Sequence, residues 1–293
     1  MEAYLDNSAT TRCSKAAADM VYKLLTEDYG NPSSLHMKGV EAENYINDAK
    51  KKIAKTLRVQ DKEILFTSGG TESNNTAIIG AAMANKRAGR HIITSSVEHA
   101  SVLSVMQFLE EQGFEITYLP VNHDGVISVE ELKNAVREDT ILVSLMHVNN
   151  EIGAVMPIEE AGAAIKEKNP ATLFHVDAIQ SYGKLEIRPK RMNIDMLSVS
   201  GHKIHGPKGS GFLYIKDKTK IKPIIYGGGQ QKGMRSGTEN VPAYAGLGVA
   251  AEEIYTDFDK KIAHMYELRD HFIESVQRIE GVSVNGRIDH TNA

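Results

Sequence analysis

Between residues 63 and 216, short β-branched runs alternate with longer stretches whose apolar positions recur every three or four residues. The runs EILFTS (63–68), HIITSS (91–96), EITYLPV (115–121), TILVSLMHV (140–148), LFHVDA (173–178), MLSVS (196–200) and GSGFLYIK (209–216) read as strands. Helical spacing fills 71–86, then 101–113 up to Gly113, then 128–136 and 158–168. Ser128 stands three residues before Glu131, the spacing of a capping box. TILVSLMHV is almost continuously apolar, as expected of a strand covered on both faces. This alternation predicts an α/β fold, a mostly parallel seven-stranded sheet flanked by helices. After Arg235 the pattern changes. Asn240 and Pro242 mark a helix start, and helical character runs from 243 to 278 with a break near 257–259. Residues 280–293 read as a strand and a turn, and the chain is expected to end inside a second, smaller domain.

A chain of 293 residues accommodates one large α/β domain with a smaller lobe. The net charge of −4 offers no basic surface for nucleic acid. There is no apolar run of 18 residues and no basic-then-apolar leader, so a soluble, cytoplasmic protein without a membrane partner is expected. The single cysteine, Cys13, excludes an internal disulfide and a cysteine-based metal cluster, and no metal site is expected.

Composition leaves the chemistry open, and the strand ends narrow it. In an open parallel sheet, ligands sit beyond the carboxyl ends of the strands, and the polar residues of this sequence gather there. SGGTESNN (68–75) places Gly70 and Thr71 at a helix start suited to a phosphate, although a plain strand–helix turn also calls for glycine and a Ser/Thr cap. His99 could stack on a ring-shaped ligand or pass a proton, or could simply cap the helix that follows. Asn150 reads as a ligand contact or as a turn residue. Asp177 ends an apolar strand, where a carboxylate is costly unless paired. It suits a protonated ring nitrogen or a buried salt bridge. Lys203 lies between His202 and His205 after another strand. A desolvated lysine can form a Schiff base with an aldehyde, and the plainer reading is a phosphate-binding or surface lysine. Together, Lys203, Asp177 and the phosphate cradle meet the needs of pyridoxal phosphate.

The segments YLDNSATT (4–11), YGNPSSLH (29–36), FTSGGTESNN (66–75), VEHASV (97–102), VNNEIG (148–153), HVDAIQ (175–180), SGHKIHGPKG (200–209) and RSGTENVP (235–242) resemble the cysteine desulfurases of the NifS/IscS type. These are pyridoxal-phosphate enzymes of the class-V aminotransferase family and fold type I. The resemblance makes Lys203 the Schiff-base lysine, Asp177 the partner of the pyridine nitrogen, and His99 a ring-stacking proton carrier. It places Asn150 and Gln180 near the ring hydroxyl, and Gly70, Thr71, Ser200 and His202 at the phosphate. Thr238 would reach the phosphate of a neighbouring subunit in a homodimer. Asn31, Arg235 and Asn150 would border the substrate. Gly201 and Gly206 would let the backbone pass close to the ligand, while His205 stays a loop histidine bonded to backbone. The implied reaction takes sulfur from L-cysteine, leaves L-alanine, and passes the sulfur as a persulfide to an acceptor or iron–sulfur scaffold protein.

The family's persulfide-forming cysteine lies well downstream of the lysine, and Cys13 does not match it. The expectation is a shortened desulfurase. Its large cofactor-binding domain would span 13–258, and its partial small α+β domain would combine 1–12 with 259–293. A class-V transaminase, a selenocysteine lyase or a silent cofactor-binding dimer remain alternatives at this point.

Overall fold

The computed structural model describes residues 3–284 and 286–289. Its centre is one sheet built from β1 (Ile64–Thr67), β2 (His91–Ser95), β3 (Glu115–Leu119), β4 (Thr140–Met146), β5 (Leu173–Asp177), β6 (Met196–Ser200) and β7 (Gly211–Ile215). The strand order is β1-β7-β6-β5-β4-β2-β3. The strands from β3 to β6 are parallel to their neighbours, whereas β7 is antiparallel to both β6 and β1. The connection from β6 to β7 explains the reversal. Residues 201–210 are fewer than the dozen or more that a parallel crossover needs, so the chain turns straight back. Two reversals leave β1 pointing the same way as β6, which brings SGGTESNN to the same rim as the other strand ends.

The helices α3 (Gly70–Asn85), α4 (Ala100–Glu111), α5 (Val129–Ala135) and α6 (Ile158–Lys168) fall where the periodicity puts them. Ser128 caps α5 by accepting from the Glu131 N–H. Two helices went unassigned in the sequence pattern: α1 (Lys15–Thr26) and α2 (Met37–Leu57). Ala42, Ile46, Ala49, Ile53 and Leu57 give α2 a buried stripe at helical spacing. Both helices pack on α7 (Val241–Tyr255), which opens at the expected Asn240 cap with Pro242 in its first turn. The backbones approach so closely there that a Cβ on Gly248 would lie 2.7 Å from the Ala49 Cβ.

Adjacent residues of a strand serve opposite layers. Ile92 and Leu142 join one apolar cluster with α3 and α4, while Ile93 and Val143 join the other with α2 and α7. Burial of both faces accounts for the unbroken apolar run of β4. After a break at Asp257, whose φ is 53°, α8 (Phe258–Val276) extends from the body, and none of its residues is buried. The strand expected in 280–293 does not form among the described residues, and 285 and 290–293 lie outside them. Among the described residues no helix is long and apolar enough to cross a membrane.

Candidate active site

A cleft of about 530 Å³ opens at the carboxyl ends of β1, β4, β5 and β6. It is lined by Gly70, Thr71, His99, Asn150, Asp177, Gln180, Ser200, His202 and Lys203, together with Asp6, Ser8, Ala9 and Ser101. All of the strand-end residues singled out from the sequence therefore meet at one place.

One corner is suited to an anion. α3 starts at Gly70 without a side-chain cap, so its first amide N–H groups are available for an anion, and Ser200 and His202 close the corner. Gly70 is small for packing reasons, because a Cβ there would lie 2.1 Å from Ile179 Cδ1. His202 is steadied by a 3.0 Å hydrogen bond between Nδ1 and Thr10 Oγ1. Its pKa is lowered, first by burial and then by Lys203 and Lys208.

Across the cleft, Asp177 is buried at the end of β5. Its Oδ1 accepts from the Ile179 N–H at 3.0 Å and its Oδ2 from Asn74 Nδ2 at 2.8 Å. Burial raises its pKa, against those two donors and the nearby His99 and Lys203. Among the described residues it has no salt bridge, so the buried-ion-pair reading does not hold.

Lys203 closes a 3₁₀ turn, Gly201–Lys203, directly after β6. Its ammonium donates to the carbonyls of Ser8 and, at 2.9 Å, Ala9. Burial lowers its pKa, with Asp6 and Asp177 pulling the other way, which favours a reactive free amine. The two nearby glycines are crowded by protein. A Cβ on Gly201 would meet Ser210 Oγ at 2.5 Å, and one on Gly206 would meet the Gly201 carbonyl at 2.9 Å. Protein atoms crowd both positions, and the absence of side chains there lets the turn close on itself. His205 is the loop histidine expected, with Nδ1–H donating to the Arg12 carbonyl at 3.0 Å.

Gln180 donates from Nε2 to the Ser8 carbonyl at 2.9 Å and accepts at Oε1 from Lys184 at 3.2 Å. Burial, aided by Lys203, pushes the Lys184 pKa down to about 8. His99 meets the capping reading and also faces the cleft. It caps α4 by accepting the Ser101 N–H at Nδ1, and it lines the cleft. Asn150 donates to Glu151 Oε1 at 2.7 Å from the loop after β4.

Three predicted residues do not join the cleft. Asn31 is exposed, and its Oδ1 accepts from the Ser33 N–H at 2.9 Å. Arg235 is committed to Glu72 at 3.0 Å, and its guanidinium does not reach the cleft lining. Thr238 is exposed outside the cleft. Cys13 is half-buried beside the core and also lies outside it, with its thiol pKa raised by burial. Among the described residues no cluster of three or more potential metal ligands exists.

Sequence reasoning missed Asn74, Ser101, Glu98 and the Ser8 carbonyl. Asn74 lies one helical turn beyond Gly70 on the same face of α3, so periodicity could have found it. Glu98 is wholly enclosed, accepting from Ser95 Oγ at 2.6 Å and the Met146 N–H at 2.9 Å. The pairing of the N-terminal carbonyls with Lys203 carried no local signal.

Over residues 3–293 the chain matches the aminotransferase class-V family. It is 48% identical to the cysteine desulfurase IscS of Methanosarcina thermophila, over 97% of this chain and 70% of that protein. The chain belongs to the cysteine desulfurases of the class-V family. Solved desulfurase-like structures share its fold. A NifS-like protein superposes with a TM-score of 0.96 at 40% identity, covering 98% of this chain and 79% of that one. SspA in complex with cysteine superposes at 0.88 and 39% identity, covering 98% and 82%. Class-V desulfurases depend on pyridoxal phosphate, and the mostly parallel sheet is that of the fold type I enzymes.

Proposed function

We propose that this desulfurase holds pyridoxal phosphate in the cleft and takes sulfur from L-cysteine, giving L-alanine and a protein persulfide. The donor set suits that cofactor. The uncapped start of α3 at Gly70 and Thr71, with Ser200 and His202, is complementary to the phosphate. Asp177 would hold the pyridine nitrogen, Asn150 and Gln180 would face the ring hydroxyl, and Lys203 would hold the cofactor's aldehyde. The bound cofactor supplies an electron sink for the charge left at the substrate α-carbon. The protein's part is proton handling. Lys203, with its lowered pKa, can take and return a proton, and His99 moves one at its ring edge in the cleft.

The observation that carries this reading is Asp177, a buried carboxylate with no salt bridge among the described residues, facing a site whose far corner is suited to an anion. A ligand with a cationic ring and an anionic tail satisfies both ends. Reduction of the cofactor-loaded chain with borohydride, followed by peptide mass mapping, is expected to place the pyridoxyl group on Lys203. An unmodified Lys203 in cofactor-saturated protein would overturn the assignment. Alanine and sulfide as products support the desulfurase, whereas a keto acid would identify a transaminase.

The proposal extends to a cytoplasmic homodimer that hands sulfur to an acceptor protein. In it, residues 13–258 form the cofactor domain and α8 begins a smaller one. Thr238, exposed and away from its own cleft, would serve the partner's phosphate. Asn31 and Arg235 would border the substrate there rather than through contacts within one chain.

A further inference from the structure

Buried polar atoms without partners are rare in folded proteins, and each calls for an explanation. Asn74 Oδ1 is such an atom, with no hydrogen-bond partner among the described residues. The same amide spends both of its N–H bonds, one on Asp177 Oδ2 at 2.8 Å and one on Ser101 Oγ at 2.9 Å. Ser101 Oγ lies 2.8 Å from His99 Nδ1, and the Ser101 backbone N–H reaches the same nitrogen at 3.1 Å. Asp177, Asn74, Ser101 and His99 thus form one continuous chain of hydrogen bonds.

The direction of that chain is set at both ends. Asp177 accepts at both oxygens, from the Ile179 N–H at Oδ1 and from Asn74 Nδ2 at Oδ2. Turning the amide round would set Oδ1 against a carboxylate oxygen. Because Asn74 also donates to Ser101 Oγ, the one hydroxyl hydrogen of Ser101 goes on to His99 Nδ1. At the other end, a backbone N–H cannot reverse, so Nδ1 is an acceptor there as well. A neutral imidazole with two donors at Nδ1 carries its proton on Nε2. The orphaned Oδ1 is the cost of using both amide hydrogens in the chain.

We propose that Asn74 and Ser101 are positioning residues that transmit the orientation imposed by Asp177 to His99 and hold its imidazole as the Nε2–H tautomer. His99 then meets a ligand as an N–H donor whose opposite nitrogen is held by protein. The catalytic use of His99 rests on the function proposed above, but the hydrogen-bond chain does not.

The test uses the full chain labelled with ¹⁵N-histidine, without cofactor, at a pH where the ring is neutral. His99 is assigned by the signal lost in His99→Gln. The expected result is the Nε2–H tautomer. Ser101→Ala is expected to move the Nδ1 resonance toward that of a less strongly bonded nitrogen. Asn74→Leu should move it the same way by less, and Ser101→Thr should restore it. With cofactor added, the rate at which L-cysteine changes the visible absorbance is expected to fall about tenfold in Ser101→Ala and in Asn74→Leu, and to recover in Ser101→Thr. An Nδ1–H tautomer in the unsubstituted chain would overturn the proposal. So would Nδ1 resonances that stay fixed in folded Ser101→Ala and Asn74→Leu. The expected tautomer in a chain that gives no response to L-cysteine would count against the desulfurase function and leave the positioning role standing.

Discussion

Burial pushes the Glu98 pKa up to about 8, so its carboxyl is protonated in the folded protein at neutral pH. Burial does the reverse to two histidines, lowering His147 to about 4 and His175 to about 3. These shifts act on stability with opposite signs. The folded state binds the Glu98 proton more tightly than the unfolded chain does. Stability from Glu98 is therefore complete below its ordinary carboxyl range and declines as pH rises toward 8. The histidines are bound neutral, so their contribution is complete above about 6.5 and is lost as pH falls toward 3 to 4. Below about 6.5 the two histidines outweigh Glu98, and above it Glu98 outweighs what remains of their titration. Stability is expected to peak near pH 6.5 and to drop by about 1 kcal/mol on going to pH 8. Urea midpoints at the two pH values measure the drop, and Glu98→Gln should abolish it. At the cleft, Asp177→Asn keeps the side chain's shape and removes its charge. It is expected to slow the L-cysteine-dependent absorbance change by roughly 100-fold, read by stopped flow.

Among the elements, the edge strand β1 is closed by a side chain. Gln231 accepts the Phe66 N–H at Oε1 and donates from Nε2 to the Phe66 carbonyl, both at 2.8 Å. One amide thus supplies the pair of bonds that a neighbouring strand would make. Gln231→Ala is expected to cost about 1–2 kcal/mol in chemical denaturation. Gly211 opens β7 at a tight crossing beneath the anion corner, where a Cβ would fall 2.6 Å from the Val199 carbonyl oxygen and 2.7 Å from Gly69 Cα. Both neighbours are backbone and cannot rotate away, so Gly211→Ala should destabilise by about 2 kcal/mol. It should also weaken cofactor binding, measured by absorbance titration. These positions mark the limit of what could be read from the sequence. The strands and the helices from α3 to α6 announced themselves because period and burial agree within each. Asp177 and Lys203 stood out as charges at the ends of apolar runs. Gln231 gave no such signal, since its partner is 165 residues away. Nor did the reversal of β7, which depends on loop length, or the pairing of Asn74 with Ser101, which depends on how α3 and α4 are set against each other.

At the scale of the whole molecule, α1, α2 and the turn between them expose Tyr22, Leu25, Tyr29, Leu35 and Met37. Apolar patches of this kind on a folded chain mark contact surfaces. For the proposed homodimer, light scattering is expected to give twice the chain mass, and Leu35→Glu to shift the population to the monomer at the same concentration. The way Lys203 is held has a consequence for biosynthesis. Its ammonium is fixed by carbonyls that lie 194 and 195 residues earlier in the chain. The segment carrying Ser8 and Ala9 leaves the ribosome well before Lys203, yet it has nothing to dock on until residue 203 has emerged and β6 has joined the sheet. Contacts this distant in sequence form late, because closing the loop costs entropy before any bond repays it. The nascent chain therefore passes through a stage with most of its sheet in place and its amine still loose. If Lys203 serves as proposed, the ability to capture an aldehyde is then acquired late in folding.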